Sequence, residues 1–150
     1  MPLATDAWKT HLLESPAEIA ALLARTRRIA VLGIKTPETG APAYFVPAYA
    51  QRAGIEIVPA PVYFPDATEI LGQPVYRRLV DIPGDIDMVN VFRREHRILE
   101  HIADILAKRP QSVWFQLGIH HAAAAEQIAR AGIDVVQDRC LMVELERVGR

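Results

Sequence analysis

Apolar residues in this chain follow two rhythms. Short continuous runs, such as Ile29 to Gly33, alternate with longer stretches in which apolar residues recur every three or four positions. A continuous run bounded by turn residues reads as a strand buried on both faces, and the three-to-four spacing reads as an amphipathic helix. The runs predict strands at Ile29 to Gly33, Glu56 to Pro59, Met88 to Phe92, Ser112 to Leu117 and Asp134 to Gln137. Helices are predicted from Pro16 to about Thr26, from Ala43 to Ala53, from Glu95 to Lys108 and from Ala122 to Ala131, with a short final helix over 141–148. Ser15-Pro16-Ala17-Glu18 opens the first helix with a cap, a proline suited to the first helical position and the acid of a capping box. Glu95 to Lys108 carries the clearest stripe: Ile98, Leu99, Ile102, Ile105 and Leu106. Pro47 conflicts with the second helix, because a proline is tolerated only near the first turn. Around Gly72, the segments Thr68 to Leu71 and Tyr76 to Val80 read as short helical turns.

Strands alternating with helices imply a parallel sheet covered on both faces. The expected fold is α/β: a single Rossmann-like, doubly wound sheet of about five strands, in the order 3-2-1-4-5. Residues 1–14 read as an arm in which Trp8, Leu12 and Leu13 pack a marginal helix onto the body, and residues 15–150 read as one domain. Ligands of such sheets bind beyond the carboxyl ends of the strands, where strand order reverses. That edge collects Gly33, Ile34, Lys35 and Thr36, the loop after Pro59, Phe92 to Arg94, Gln116 to Ile119, and Gln137 to Cys140.

Charge narrows the choice of ligand. The formal net charge is -1, which gives no electrostatic reason to expect nucleic acid or an anionic membrane as partner. No apolar run approaches the roughly 20 residues that span a bilayer, and the first residues are too polar for a signal peptide. The single cysteine, Cys140, permits no internal disulfide, which fits a cytoplasmic location.

The glycine pattern excludes the commonest nucleotide motifs. Gly33 is followed only by Gly40, so no GxGxxG turn exists, and no Walker sequence is present. Neither an acid for a ribose diol nor a cation for a 2′-phosphate follows Pro59, which disfavours NAD and NADP. The edge does offer phosphate chemistry: Lys35, the Thr36 hydroxyl and the N–H groups of the glycine turn at one point, Arg93 and Arg94 at another. At least one of the two arginines is expected to meet phosphate. Tyr63 and Phe64 are candidates to cover an adenine ring.

Five blocks carry a family resemblance: IAVLGIKT at 29–36, EILGQPVYRRLVDIP at 69–83, DMVNVFRR at 87–94, VWFQLGI at 113–119 and VVQDRC at 135–140. In these the chain resembles the small bacterial CoA-binding proteins, related to the CoA-binding domain of the succinyl-CoA synthetase alpha subunit. The resemblance spans roughly residues 28 to 148. It implies a Rossmann-like fold and non-covalent binding of coenzyme A or an acyl-CoA, without an established reaction. It places Gly33, Lys35 and Thr36 near the phosphates, Arg93 and Arg94 near the nucleotide end, and Gln116, Leu117, Gly118 and Ile119 near the pantetheine; Ile34 and Pro59 are further cofactor-binding candidates on the same edge. The family often reads Gly-x-Ser followed by an arginine. This chain has Lys35 where the serine would be and no arginine in Thr39-Gly40-Ala41, so Lys35 stands in for the missing charge.

No nucleophile, base and orienting group converge on the expected edge, so binding without catalysis is the expectation. The alternatives are an NAD- or NADP-dependent enzyme with an atypical glycine turn, and a CoA-binding partner subunit of a ligase or acyltransferase. A homodimer fits as well. No metal site is expected: His120-His121 reads as a cap in which His120 starts the helix at Ala122. Cys140 reads as a small buried hydrophobe, although a mixed disulfide with a CoA thiol is chemically open to it.

Overall fold

The computed structural model of the chain describes residues 6–150, so the first residues of the expected arm lie outside it. Its centre is a parallel sheet of β1 (Arg28–Leu32), β2 (Glu56–Ala60), β5 (Met88–Val91), β6 (Ser112–Phe115) and β7 (Asp134–Val136). The spatial order is β2-β1-β5-β6-β7. Alternate residues of each strand feed separate cores. Ile29 and Val31 face α1 (Pro16–Ala24), α2 (Pro42–Arg52) and α5 (Leu141–Arg147). Ala30 and Leu32 face α3 (Ile102–Lys108) and α4 (Ala122–Arg130). Helices on both faces are why the strands read as unbroken apolar runs.

The five-stranded parallel sheet with two helical layers is as expected, but the order 3-2-1-4-5 is corrected. The third long strand, β5, pairs with β1 on the side away from β2: Val31 sits opposite both Pro59 and Asn90. This leaves β2 at the sheet's edge, where the Pro59 carbonyl accepts the Tyr76 N–H at 3.0 Å. Pro59 held the clue, because a proline cannot donate to a ladder on either side and belongs on an edge strand. The switch point therefore lies between β1 and β5.

Two other expectations change. Of the two helical turns expected around Gly72, the first is instead a tight hairpin of β3 (Glu69–Ile70) and β4 (Gln73–Pro74), and the second is helical only as a 3-10 turn at Leu79–Asp81. Leu71 and Gly72 both take positive φ, 55° and 74°, which is how a two-residue hairpin turn matches strand twist. The stretch Glu95–His101 is a 3-10 helix rather than the start of one long α-helix. Its three-residue period turns Ile98 inward and leaves Leu99 exposed.

The capping box at α1 is formed as the sequence predicts. Ser15 Oγ accepts the Glu18 N–H at 3.1 Å, and Glu18 Oε1 accepts the Ser15 N–H at 3.1 Å. The Ser15 and Glu14 N–H groups, both donating to Glu18 Oε1, hold its carboxyl below the ordinary range. Ser15→Ala is expected to cost about 1 kcal/mol, a fall of roughly 2–4 °C in Tm for a chain this size, read by calorimetric melting.

Residues 7–13 run along the outer edge of β7. The Leu13 N–H donates to the Val135 carbonyl at 2.9 Å, and His11 meets Asp134 at 2.8 Å. Trp8 packs against the α4 core beneath the Arg130 guanidinium, 5.1 Å from its ring. An edge strand closed in this way no longer offers free pairing groups to other chains.

Candidate functional site

Gly33 ends β1 with φ +86°, and a Cβ built there would lie 2.2 Å from the Phe92 carbonyl oxygen. Only glycine lets the ends of β1 and β5 approach this closely while the chain turns through a left-handed conformation. The Gly33 N–H still pairs with Ala60, and the Phe92 N–H with Leu32, both at 2.9 Å. Ile34 then plunges into the core and anchors the turn.

Lys35 follows on a tethered backbone. Its N–H donates to the Ala43 carbonyl at 3.1 Å. In an ordinary helix that carbonyl would accept from residue 47, but Pro47 has no N–H. Pro47 lies inside α2, beyond the position expected to be tolerable. The acceptor that it frees is what holds the Lys35 turn against the start of α2.

The turn, the start of α2 and the ends of β5 and β6 line an open surface cavity of about 560 Å³. Lys35, Arg93 and Arg94 form its cationic side, and Ala41, Pro42, Ala43 and Phe92 an apolar wall. Gln116, Leu117, Gly118 and Ile119 close it from β6. A cleft of about 240 Å³ shares Lys35, Phe92, Arg93 and Arg94 and extends to Tyr63, His96 and Arg97. The N-terminus of α2 has no side-chain cap; Pro42 carries no N–H, and the Tyr44 and Phe45 N–H groups bond the Ala41 carbonyl, so the Ala43 N–H is the backbone donor left without an acceptor at the mouth among the described residues.

The two arginines differ in kind. Arg93 is only 8% exposed. Its Nε donates to His101 Nε2 at 3.1 Å and Nη1 to the Tyr63 hydroxyl at 3.3 Å, while Nη2 lies 3.6 Å from Glu100. The guanidinium also lies over the Tyr63 ring, 5.6 Å from its centre. The hydrogen bond from Arg93, reinforced by its charge, holds the Tyr63 phenol below its ordinary range. Arg94 is exposed, and its side chain has no ion pair or hydrogen bond among the described residues. Of the pair, Arg94 is the one free to meet an incoming anion.

His101 accepts from Arg93 only when neutral. Burial, then the charge of Arg93, lowers its pKa, against the opposing pull of Glu100 and Asp104. The unfolded chain therefore takes up this proton at higher pH than the folded one. Stability from His101 is complete above about pH 6.5, the ordinary histidine value, and is lost as pH falls below it. His101→Gln keeps an acceptor for Arg93 without the titration. Its urea midpoint is expected to fall less than that of the parent protein between pH 7 and pH 5.

Other expected site residues fall elsewhere. The Thr36 hydroxyl is held by the Glu38 carboxylate, and Thr36 does not line the cavity. Gly33 and Ile34 shape the turn from behind, and Pro59 is buried in β2 away from both openings. The Gly118 N–H is taken by Asp138 Oδ1 at 2.7 Å, and Glu95 Oε1 accepts the His120 N–H at 3.0 Å, so this loop is fixed by two carboxylates. His121, not His120, caps α4: its Nδ1 accepts the Ala124 N–H at 3.1 Å. Among the described residues no three His, Cys, Asp or Glu side chains gather as a metal cluster. Cys140 is half-buried at the start of α5 and does not line the cavity. No helix among the described residues is long and apolar enough to cross a membrane.

Ala41, Pro42, Ala43 and Glu95 belong to the site although sequence reasoning passed over them. Pro42 at the first position of α2 was the available signal, since it marks a helix start near the sheet's functional edge.

A cationic cavity at the switch point of a doubly wound parallel sheet defines a phosphate-compatible ligand-binding domain of Rossmann type. The chain belongs to the CoA-binding domain family, whose model matches residues 27–146. The protein YneT of Bacillus subtilis (strain 168) is 33% identical over 129 residues, covering 86% of this chain and 93% of YneT. The structure of cell-free ID.343 from Thermus thermophilus shares 35% identity with a TM-score of 0.82, covering 90% of this chain and 99% of that one. The dinucleotide-forming acetyl-coenzyme A synthetase 1 of Candidatus Korarchaeum cryptofilum shares the fold alone, at 16% identity and TM-score 0.60, over 72% of this chain and 25% of that one.

Proposed function

We propose that this protein binds coenzyme A or an acyl-CoA in the cavity between β1, β5 and β6, without chemistry of its own. The observation that carries this reading is the convergence of Lys35, the unpaired Arg94 and the uncapped start of α2 beside an apolar wall. Two free cations and a helix N-terminus suit a diphosphate. An apolar wall of Ala41, Pro42, Ala43 and Phe92 suits the uncharged arm of the same molecule. Gly33 and Ile34 hold the turn that presents Lys35. Arg93 stiffens the Tyr63 loop, leaving the tyrosine ring, 60% exposed, beside the smaller cleft where an adenine could stack.

A thermal-shift panel with CoA, acetyl-CoA, NAD and NADP tests the ligand class. Ligand at 100 times its dissociation constant adds about 2.7 kcal/mol of stability. CoA and acetyl-CoA are expected to raise Tm, with NAD and NADP inert. Stabilisation by NAD or NADP alone would replace this reading with that of a nicotinamide enzyme.

A further inference from the structure

Behind the cavity, Gln116 and Asn90 form a relay of buried amides. Gln116 lines the cavity yet is only 4% exposed. Its Oε1 accepts the Leu141 N–H at 3.3 Å and meets Asn90 Nδ2 at 3.5 Å. A side-chain amide turned end for end keeps its shape, so its partners decide its orientation. Here one partner cannot turn. The Leu141 N–H is a fixed backbone donor, and it demands an oxygen from Gln116. Asn90 is fixed from the other side, because Nδ2 also donates to the Trp114 carbonyl at 3.3 Å. Reversing Asn90 would set its oxygen against two acceptors.

Two consequences follow from this single arrangement. The Gln116 Nε2 group is turned away from Leu141 and has no protein partner among the described residues, where only Oε1 is hydrogen-bonded, while the side chain forms part of the cavity wall. Asn90 Oδ1, in turn, is buried without a hydrogen-bond partner. A buried orphan acceptor is costly, so Asn90 is a poor choice for stability alone. An apolar residue of similar size would fill the same space in a strand that is otherwise Met88, Val89 and Val91.

We propose that Leu141 and Asn90 orient Gln116 as a hydrogen-bond donor to a carbonyl oxygen, of an amide or a thioester, on a ligand arm lying along Ala43, Phe92 and Ile119. This rests on the CoA reading above and deepens it. Asn90 is a positioning residue: it never touches the ligand and acts through Gln116.

The test uses nuclear magnetic resonance on the full chain with two probes. S-acetylpantetheine carries the carbonyls without a nucleotide, and 3′-phospho-ADP carries the nucleotide without a carbonyl. S-acetylpantetheine is expected to shift the Gln116 side-chain amide signal, assigned by its disappearance in Gln116→Leu. Asn90→Leu is expected to weaken S-acetylpantetheine about 3- to 10-fold, the worth of roughly one hydrogen bond, while melting no lower than the parent protein. 3′-Phospho-ADP should leave that signal in place and bind both proteins equally. Pantetheine locates the carbonyl: an equal effect assigns the arm's amide, a smaller one the thioester. A Gln116 signal unmoved by millimolar S-acetylpantetheine, or unchanged affinity in Asn90→Leu, overturns the relay. Failure of the CoA reading shows separately, as absent binding of 3′-phospho-ADP to the parent protein.

Discussion

Gly33→Val is expected to destabilise the protein by about 2–5 kcal/mol, combining left-handed backbone strain with steric overpacking. The position has φ +86°, and a Cβ there would overlap the Phe92 carbonyl oxygen at 2.2 Å. That oxygen is backbone and cannot swing aside, so β1 and β5 would have to separate. Their separation would break the hydrogen bond from the Phe92 N–H to Leu32 and move Lys35 relative to Arg94. Urea unfolding measures the loss, and the folded fraction should also lose ligand affinity. A control at Gly40 sharpens the test. Gly40 also has positive φ, at 61°, but a Cβ there meets nothing within 4 Å. Gly40→Ala should therefore cost only the backbone strain, roughly 1–2 kcal/mol.

The second large effect is on binding rather than folding. Lys35→Glu combined with Arg94→Glu is expected to weaken CoA by at least about 100-fold, measured by calorimetric titration. Charge-assisted hydrogen bonds contribute about 1.5–3 kcal/mol each, and every 1.4 kcal/mol is tenfold in affinity. Neither cation has a protein ion pair among the described residues, so reversing them should leave Tm close to that of the parent protein. Arg93→Ala contrasts with this pair. Arg93 is buried against Tyr63, His101 and Glu100, so its loss should lower Tm and loosen the Tyr63 loop.

Much of the architecture was legible because burial on two faces leaves an unbroken apolar run. The strand at Ile29 to Gly33 could be read directly for that reason, and the cap at Ser15 from the spacing of Ser15, Pro16 and Glu18. Strand order could not be read from apolarity, since every central strand is apolar alike. Pro59 distinguished the edge strand, but through a missing donor rather than through hydrophobicity. The hairpin at Leu71-Gly72 was hidden because Leu71 takes a positive φ that a leucine seldom adopts. Pro47 looked like a fault in α2, and its meaning depends on a partner distant in sequence, the N–H of Lys35.

The site divides along the same line. Lys35 and Arg94 follow strand ends, so topology alone carries them to one edge. Arg93 is indistinguishable from Arg94 in sequence, and only its tertiary partners remove it from solvent. Thr36 is drawn off by Glu38, two residues on, a local competition that motif reading does not weigh. The small residues Ala41 and Ala43 have no chemical signature and enter the site only through where α2 begins.

The central claim concerns place as well as ligand, and amide hydrogen exchange with and without CoA addresses both. Binding between β1, β5 and β6 predicts slower exchange in peptides covering 33–45, 92–97 and 116–121 when CoA is present. Unchanged exchange throughout, or protection confined to segments away from the carboxyl ends of those strands, would contradict it.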